Sequence, residues 1–588
     1  MSRSFGPLWR RGEGVTFRLW APAAAKADLV IGGASVAMTA CADGRFEATH
    51  HDAVPGTRYS FRIDHRIEVP DPASHFQPED VHGPSEVIDH DYAWATNDWR
   101  GRPWHEAVFL ETHVGTFTPD GTFRAMIEKL DHIAAAGITA IELMPVAEFS
   151  GRRNWGYDGV LLFAPDSVYG RPEDLKALVD AAHQRGLMVF LDVVYNHFGP
   201  EGNYLGQYAP QFFTSHHTTP WGDAIDYRVP QVRQFVIHNA LHWLRRYRFD
   251  GLRLDAVHAL AEPGEPSILT DLSRAVGAYA AESNRHIHLV LENDDNCAAF
   301  LDPNQECPAG KYRAQWNDDY HHAWHTLLTK ESHGYYRDYH EPRRQIARSL
   351  AEGFIYQGEP SEHRNGAARG EGSGHLPPTA FVNFVQNHDQ IGNRACGERL
   401  EMLAPAAAVE AALAVLLIAP MPPLMFMGEE WGATHPFPFF CDFHGELAEA
   451  VRQGRRREFA EAYANPSIEV PDPLTEATFQ SAMLDWSELE RDAHRQRLGL
   501  VRDLLCVRRN EIVPRLAGLK SAEAGAEFVG DVLQARWRLA DGSVLRLLVN
   551  LSDGESMRPG ASSGRPIWGG EPPASLAPWF VYWAIEDG

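Results

Sequence analysis

Short runs in which apolar and polar residues alternate open the chain: VTFRLW (residues 15–20), RFEATH (45–50) and RYSFRID (58–64), separated by Gly, Pro and Asp. A period of two gives each run one apolar face, and runs of this length broken by turn formers predict a small immunoglobulin-like β-sandwich over residues 1–100. From about residue 104 the rhythm changes. Apolar, β-rich runs at 107–117, 138–146, 187–195, 251–257, 286–292, 312–316, 380–387 and 424–428 now alternate with stretches of helical period. Among the latter are FRAMIEKLDHIAAAG, RPEDLKALVDAAHQRG and QVRQFVIHNALHWLRRY, the first two ending on a glycine suited to a helix C-cap. Eight such units over about 400 residues exceed what a doubly wound sheet needs. They predict an α/β fold built on a closed (β/α)8 TIM barrel with inserted loops over residues 101–515. Alternation returns in LQARWRL, SVLRLLVNL and WFVYWAI, which predicts a C-terminal β-sandwich domain over 516–588.

Two stretches need separate treatment. The uncharged run 411–428 contains Pro420, Pro422 and Pro423, so it reads as a buried helix, a turn and a strand rather than a membrane span. The glycine- and charge-rich stretch 358–374 reads as a mobile loop, either a lid or an insertion.

Charge and cysteine content narrow the partners. A formal net charge of −25 argues against nucleic acid and against an anionic membrane, since phosphate binding needs local positive potential. The one dense basic run, Arg455 to Arg457, reads as a solvated face. Six cysteines (Cys41, Cys297, Cys307, Cys396, Cys441, Cys506) form no C-x-x-C pair, and the N-terminal arginines have no apolar stretch behind them. Free thiols and a missing secretory signal predict a cytoplasmic protein. No zinc-type His/Cys spacing, EF-hand loop or phosphate-cradling glycine loop is legible, so neither a metal nor an organic cofactor is expected.

The mouth of such a barrel is built where strands end, so ionisable residues at those ends are the candidates for chemistry. Four places qualify: DVVYNH (192–197), GLRLDAVH (251–258), VLEND (290–294) and VQNHD (385–389). In the second, Arg253 and Asp255 share one strand face while Leu252 and Leu254 share the other. A guanidinium this near keeps the aspartate anionic and fit to be a nucleophile. Glu292 ends the apolar run HLVLE, where desolvation favours a protonated carboxyl suited to general acid work. One ionised and one protonated carboxyl about 5 to 5.5 Å apart are what acetal hydrolysis with retention requires. Asp389 offers a third carboxylate, and Asp192, earlier in its strand, is expected to orient Arg253. Tyr157, in WGYDG, offers a flat face for a sugar ring, with Trp155, Trp221 and Trp431 as further aromatic candidates.

These motifs together resemble the four signature regions of the α-amylase superfamily of retaining glycoside hydrolases. The resemblance implies that Asp255 is the nucleophile, Glu292 the proton donor and Asp389 the transition-state stabiliser. Arg253, His197, His388, His258 and Asn387 would surround the sugar, with Tyr157 stacking beneath it. ETHVGTFTPDGTF (111–123), PDPASHFQPEDVHGPSEV (70–87), WNDDYHH (316–322), QNHDQIGNR (386–394) and FFCDF (439–443) are similar to the branch that acts on malto-oligosyltrehalose and related α-glucans, the trehalohydrolases. That implies hydrolysis of the α-1,4 bond next to a terminal trehalose, and makes Asp319 a substrate contact. A glucan branching or debranching activity stays open beside it. The run LENDDN departs from the superfamily pattern, with Leu291 where a small residue is expected before the glutamate.

Overall fold

The computed structural model describes residues 5–219, 222–260, 267–302, 312–465, 467–521, 523–561 and 563–588, with side chains omitted at 216–219. Trp221 and Cys307 lie outside the described residues.

Eight parallel strands form the central sheet: β1 (Phe109–Thr112), β2 (Ala140–Leu143), β3 (Met188–Val193), β4 (Gly251–Leu254), β5 (His288–Leu291), β6 (Ala314–Trp316), β7 (Phe381–Val382) and β8 (Leu424–Phe426). Each falls within one of the runs read from the sequence. Strand β8 pairs with β1, and a parallel bridge between Asn383 and Pro423 joins the last open edge, so the sheet closes into a barrel.

Period-two alternation decides what fills it. The inward positions near the strand starts, Phe109, Ala140, Phe190, Val290, Ala314 and Val382, pack with Trp104 into one apolar cluster. Two residues further along, the same faces carry Glu111, Glu142, Asp192 and Glu292. On β4 the lower position is Gly251, where a Cβ would meet Phe190 Cε1 at 2.1 Å. Only glycine leaves room for that ring, and Arg253 and Asp255 then follow on the inward face. Leu252 and Leu254 point outward into the shell beneath the helices and are buried.

Helix ends follow the capping chemistry read from sequence. The helix Leu130–Ala136 ends at Gly137, which is left-handed at φ 97°, and the helix Pro172–Gln184 is followed by Gly186 at φ 72°. The run 411–428 becomes the helix Ala406–Ile418 and strand β8, with residues 411–428 all buried. No helix among the described residues is long and apolar enough to cross a membrane.

Two sheets precede the barrel. One orders Leu8–Arg10, Gly14–Trp20, Arg45–His50 and Thr39–Ala40; the other orders Ala34–Ala37, Ala27–Ile31, Arg58–Ile63 and Ile67–Val69, with Ser85–Glu86 as a fifth strand also paired to Arg58–Ile63. Phe17 from the first meets Tyr59 from the second at 4.6 Å. After the barrel a five-stranded antiparallel sheet orders Ala524–Val529, Val532–Arg538, Val544–Asn550, Val581–Glu586 and Arg565–Trp568. It is anchored to the barrel by two tryptophans: Trp537 Nε1 donates to the Leu350 carbonyl at 2.9 Å and Trp583 Nε1 to that of Ala414 at 3.2 Å.

Two sequence expectations change. The stretch 358–374 is no free loop, because Glu359–Ser361 and Ala367–Arg369 pair as a hairpin and Ser361 Oγ donates to Asp338 at 2.6 Å. The basic run is split: Arg456 and Arg457 are exposed, but Arg455 lies over the rings of Phe439 and Phe459, at 5.3 and 4.5 Å. Burying its stem on two aromatic rings is the alternative to solvation.

Candidate active site

Arg253 organises the barrel mouth. Its Nη1 donates to Asp192 Oδ2 at 2.7 Å and to Asp255 Oδ1 at 2.8 Å, while Nη2 lies 3.7 Å from Glu292 Oε2. The guanidinium sits 4.2 Å from the centroid of the Trp316 ring, which fixes its plane. Registration explains the meeting of the two carboxylates: Leu254 pairs with Leu291 across β4 and β5, so Asp255 and Glu292 leave adjacent strands side by side. Asp255 is further held by Asn196, whose Nδ2 donates to Oδ2 at 2.9 Å.

The chain just beyond Asp255 is strained. Ala256 adopts φ 41°, ψ 52°, a left-handed conformation that costs a residue with a Cβ about 1 kcal/mol or more. That turn aims its N–H at Glu292 Oε2, 2.5 Å away. Burial raises the Glu292 pKa well above the usual carboxyl range, Asp255 and Asp318 push it further, and Arg253 and the Ala256 N–H oppose them. The net direction is up, toward the protonated form that a general acid needs.

Asp389 stands across the mouth, open to solvent, with Oδ1 accepting from Asn393 Nδ2 at 2.6 Å. Its neighbour His388 belongs to a buried chain of polar groups. The His388 main-chain N–H donates to Glu111 Oε2 at 3.0 Å, and its Nδ1 pairs with Glu111 Oε1. Nε2 lies 2.9 Å from the Tyr157 hydroxyl, which donates to Asp192 Oδ2 at 2.7 Å. Burial pulls the imidazole pKa down, but the Glu111 carboxylate more than offsets it and the net direction is up. The chain therefore links Glu111, His388, Tyr157, Asp192 and Arg253 to Asp255.

The remaining sequence candidates divide. Tyr157 is partly buried and its ring stacks on His388 at 5.2 Å. His197 is buried, with its ring nitrogens facing Asn196 Oδ1 and, at 2.8 Å, the Tyr157 carbonyl. His258 is exposed and its Nδ1 accepts from the Asp294 N–H at 3.2 Å. Four candidates are enclosed or already bonded within the protein. Trp155 is buried against Phe437, ring to ring at 5.4 Å, and edge-on to His388, so it backs the site rather than lining it. Trp431 is fully buried beside His132 and Trp486 and is core. Asn387 caps the helix His388–Gly392 by accepting the Gln390 N–H at 3.0 Å. Asp319 is fully buried, its oxygens taken by Arg369, Tyr339, Asn296 and the N–H groups of Ile355 and Tyr356. Its neighbour Asp318 is the one that faces the site, its pKa pushed up to about 7 by burial and by Asp294 and Asp389.

The departure at LENDDN has a structural counterpart. Asp294 and Asp295, two and three positions after Glu292, are gripped by the hairpin read earlier as mobile. Arg364 Nη1 reaches Asp295 at 2.7 Å and its Nη2 pairs with Asp294; Arg369 bonds Asp294 Oδ1 at 2.9 Å and the Asp294 carbonyl at 2.8 Å. Two acidic residues after the glutamate thus tie its loop to a separate insertion.

The expectation that no metal-type cluster exists needs one amendment. No compact His/Cys spacing is present, but among the described residues the fold gathers His75, His90 and His242, away from the strand ends.

Residues 84–211 match the family described as alpha amylase, catalytic domain, and residues 521–583 match a domain of unknown function, DUF3459. The malto-oligosyltrehalose trehalohydrolase of Deinococcus radiodurans is 42% identical over 89% of this chain and 86% of its own length. That of Saccharolobus solfataricus is 40% identical over 81% and 82%. A crystal structure of a Salmonella typhimurium protein, provisionally described as an alpha amylase, superposes with a TM-score of 0.94 at 42% identity, covering 100% of both chains.

Proposed function

This chain belongs to the malto-oligosyltrehalose trehalohydrolase family of α-amylase-type glycoside hydrolases, and from that premise we propose that it cleaves the α-1,4 bond next to the terminal trehalose of malto-oligosyltrehalose, with retention. Asp255 attacks the anomeric carbon while Glu292 gives its proton to the departing trehalose oxygen. Glu292, now a carboxylate, takes a proton from water, and the hydroxide so formed releases the malto-oligosaccharide from Asp255. Asp389 stabilises the oxocarbenium-like charge that develops in both steps, and Tyr157 lies under the reacting glucose. We further propose a cytoplasmic setting, which the free thiols of Cys41, Cys396, Cys441 and Cys506 support.

One observation carries the assignment: a single guanidinium lies within ion-pair distance of both Asp255 and Glu292, at 2.8 and 3.7 Å, so the two carboxyls converge on one point of the mouth, and burial shifts Glu292 toward its protonated form. Incubation with maltopentaosyl-trehalose tests it. Free trehalose and maltopentaose as the main products are expected. Activity confined to α-1,6 points, or new branches in amylose, would instead mark a branching or debranching enzyme.

A further inference from the structure

Three histidines from three separate stretches meet behind the N-terminal sheets: His75, His90, and His242 on the helix Pro230–Arg246. One ring nitrogen of each lies within 4.8 Å of those of the other two. His75 Nδ1 and His90 Nε2 are 3.0 Å apart, the His75 ring stacks on His242 at 4.8 Å, and His90 meets His242 edge-on at 5.3 Å. His75 and His242 are buried. His242 Nε2 and His90 Nδ1 are buried ring nitrogens with no hydrogen-bond partner. An unpartnered buried nitrogen costs free energy, and two beside a third imidazole call for a shared occupant.

The chemistry of the group selects that occupant. An imidazole nitrogen is among the commonest ligands of a divalent transition metal. The group contains no carboxylate. Magnesium and calcium ions require several oxygen ligands, whereas three nitrogens suit zinc, nickel and copper. We propose that His75, His90 and His242 bind one divalent transition-metal ion, Zn2+ in the first instance, with solvent as the fourth ligand. The ion joins the two segments that flank the sheet strand Ser85–Glu86 to a helix of the barrel wall. It stabilises that junction and takes no part in the reaction.

The test uses the full chain after treatment with a chelator. ZnCl2 should bind at one equivalent per chain and raise the thermal midpoint, MgCl2 at millimolar concentration should not, and CoCl2 should give visible ligand-field bands of a nitrogen-rich site. His242→Phe should weaken Zn2+ at least tenfold and abolish the bands while leaving trehalose release unchanged. Should that variant fail to fold, His90→Gln, at the half-buried ligand, provides the same readout. Wild-type Zn2+ affinity and cobalt bands retained in the folded variant, or a wild-type chain that prefers Mg2+, would overturn the assignment.

Discussion

The foot and the mouth of the barrel each bury carboxylates, and they treat them in opposite ways. At the foot, Asp250 accepts from Trp99 Nε1 at 2.8 Å and from His183 Nε2, the Val189 N–H and Arg285 Nη2, each at 2.9 Å. Burial alone would raise its pKa, but the imidazole, guanidinium and N–H partners hold it down at about 2. At the mouth, Glu142 has neither oxygen hydrogen-bonded, and burial with Glu111 and Asp192 nearby drives its pKa well up. Asp192, with one oxygen unpartnered, is pushed up to about 6. Depth is the same in both places. What differs is the supply of donors, and a mouth left short of them shifts Glu142, Asp192 and Glu292 toward their protonated forms. The foot is built for stability and the mouth for acid chemistry.

The contrast is broken most sharply by removing the acid. Glu292→Gln should lower turnover by at least about 100-fold, with little change in thermal midpoint. In the unaltered enzyme activity should fall on the alkaline side as Glu292 loses its proton, and steady-state rates across pH check both points. Asp250→Asn should do the reverse, costing about 3 kcal/mol of stability while the folded fraction keeps its turnover. The pH sign follows from the depressed pKa. The Asp250 contribution is present above its unfolded value near 4 and is lost as pH falls toward 2, so denaturant unfolding at pH 7 and pH 3 should show the variant's deficit shrinking in acid.

A smaller effect is expected one step back from the sugar. Glu111→Gln removes the charge that raises the His388 pKa, so the imidazole pKa should drop and turnover should fall about tenfold; histidine NMR read together with kcat separates this from a folding defect. Smallest, Glu142→Gln should stabilise the fold by about 1 kcal/mol at neutral pH. A carboxyl whose pKa is raised on folding penalises the native state once pH exceeds its unfolded value, and a neutral amide does not pay it. A destabilised Glu142→Gln protein would break the comparison, since it would show that the mouth needs that carboxyl as much as the foot needs Asp250.

Much of this was legible in the chain because short-range periodicity carried it. Eight apolar runs gave eight strands, and the two-residue spacing of Arg253 and Asp255 put both on the inward face. The losses came where contacts are long-range or a neighbour competes. Glu111 lies 277 residues from His388 and nothing local marks their bond. WNDDYHH offers two aspartates, and only packing tells that Asp318 faces the site while Asp319 is enclosed. Tryptophan composition cannot separate Trp431 in the core from a ring at the mouth. The left-handed turn at Ala256 carries no signal, since alanine does not favour it. The hairpin at 358–374 looked free because its arginines find Asp294 and Asp295 some seventy residues earlier.

The central claim is that Asp255 bonds to the sugar while Glu292 manages the proton. A fluorinated glucosyl donor that forms its enzyme adduct quickly and loses it slowly, followed by proteolysis and mass spectrometry, tests this directly. The account predicts one glycosyl mass on the peptide containing Asp255, and its disappearance in Asp255→Asn. A glycosyl group on another carboxylate, or first-formed product with inverted anomeric configuration, would contradict it.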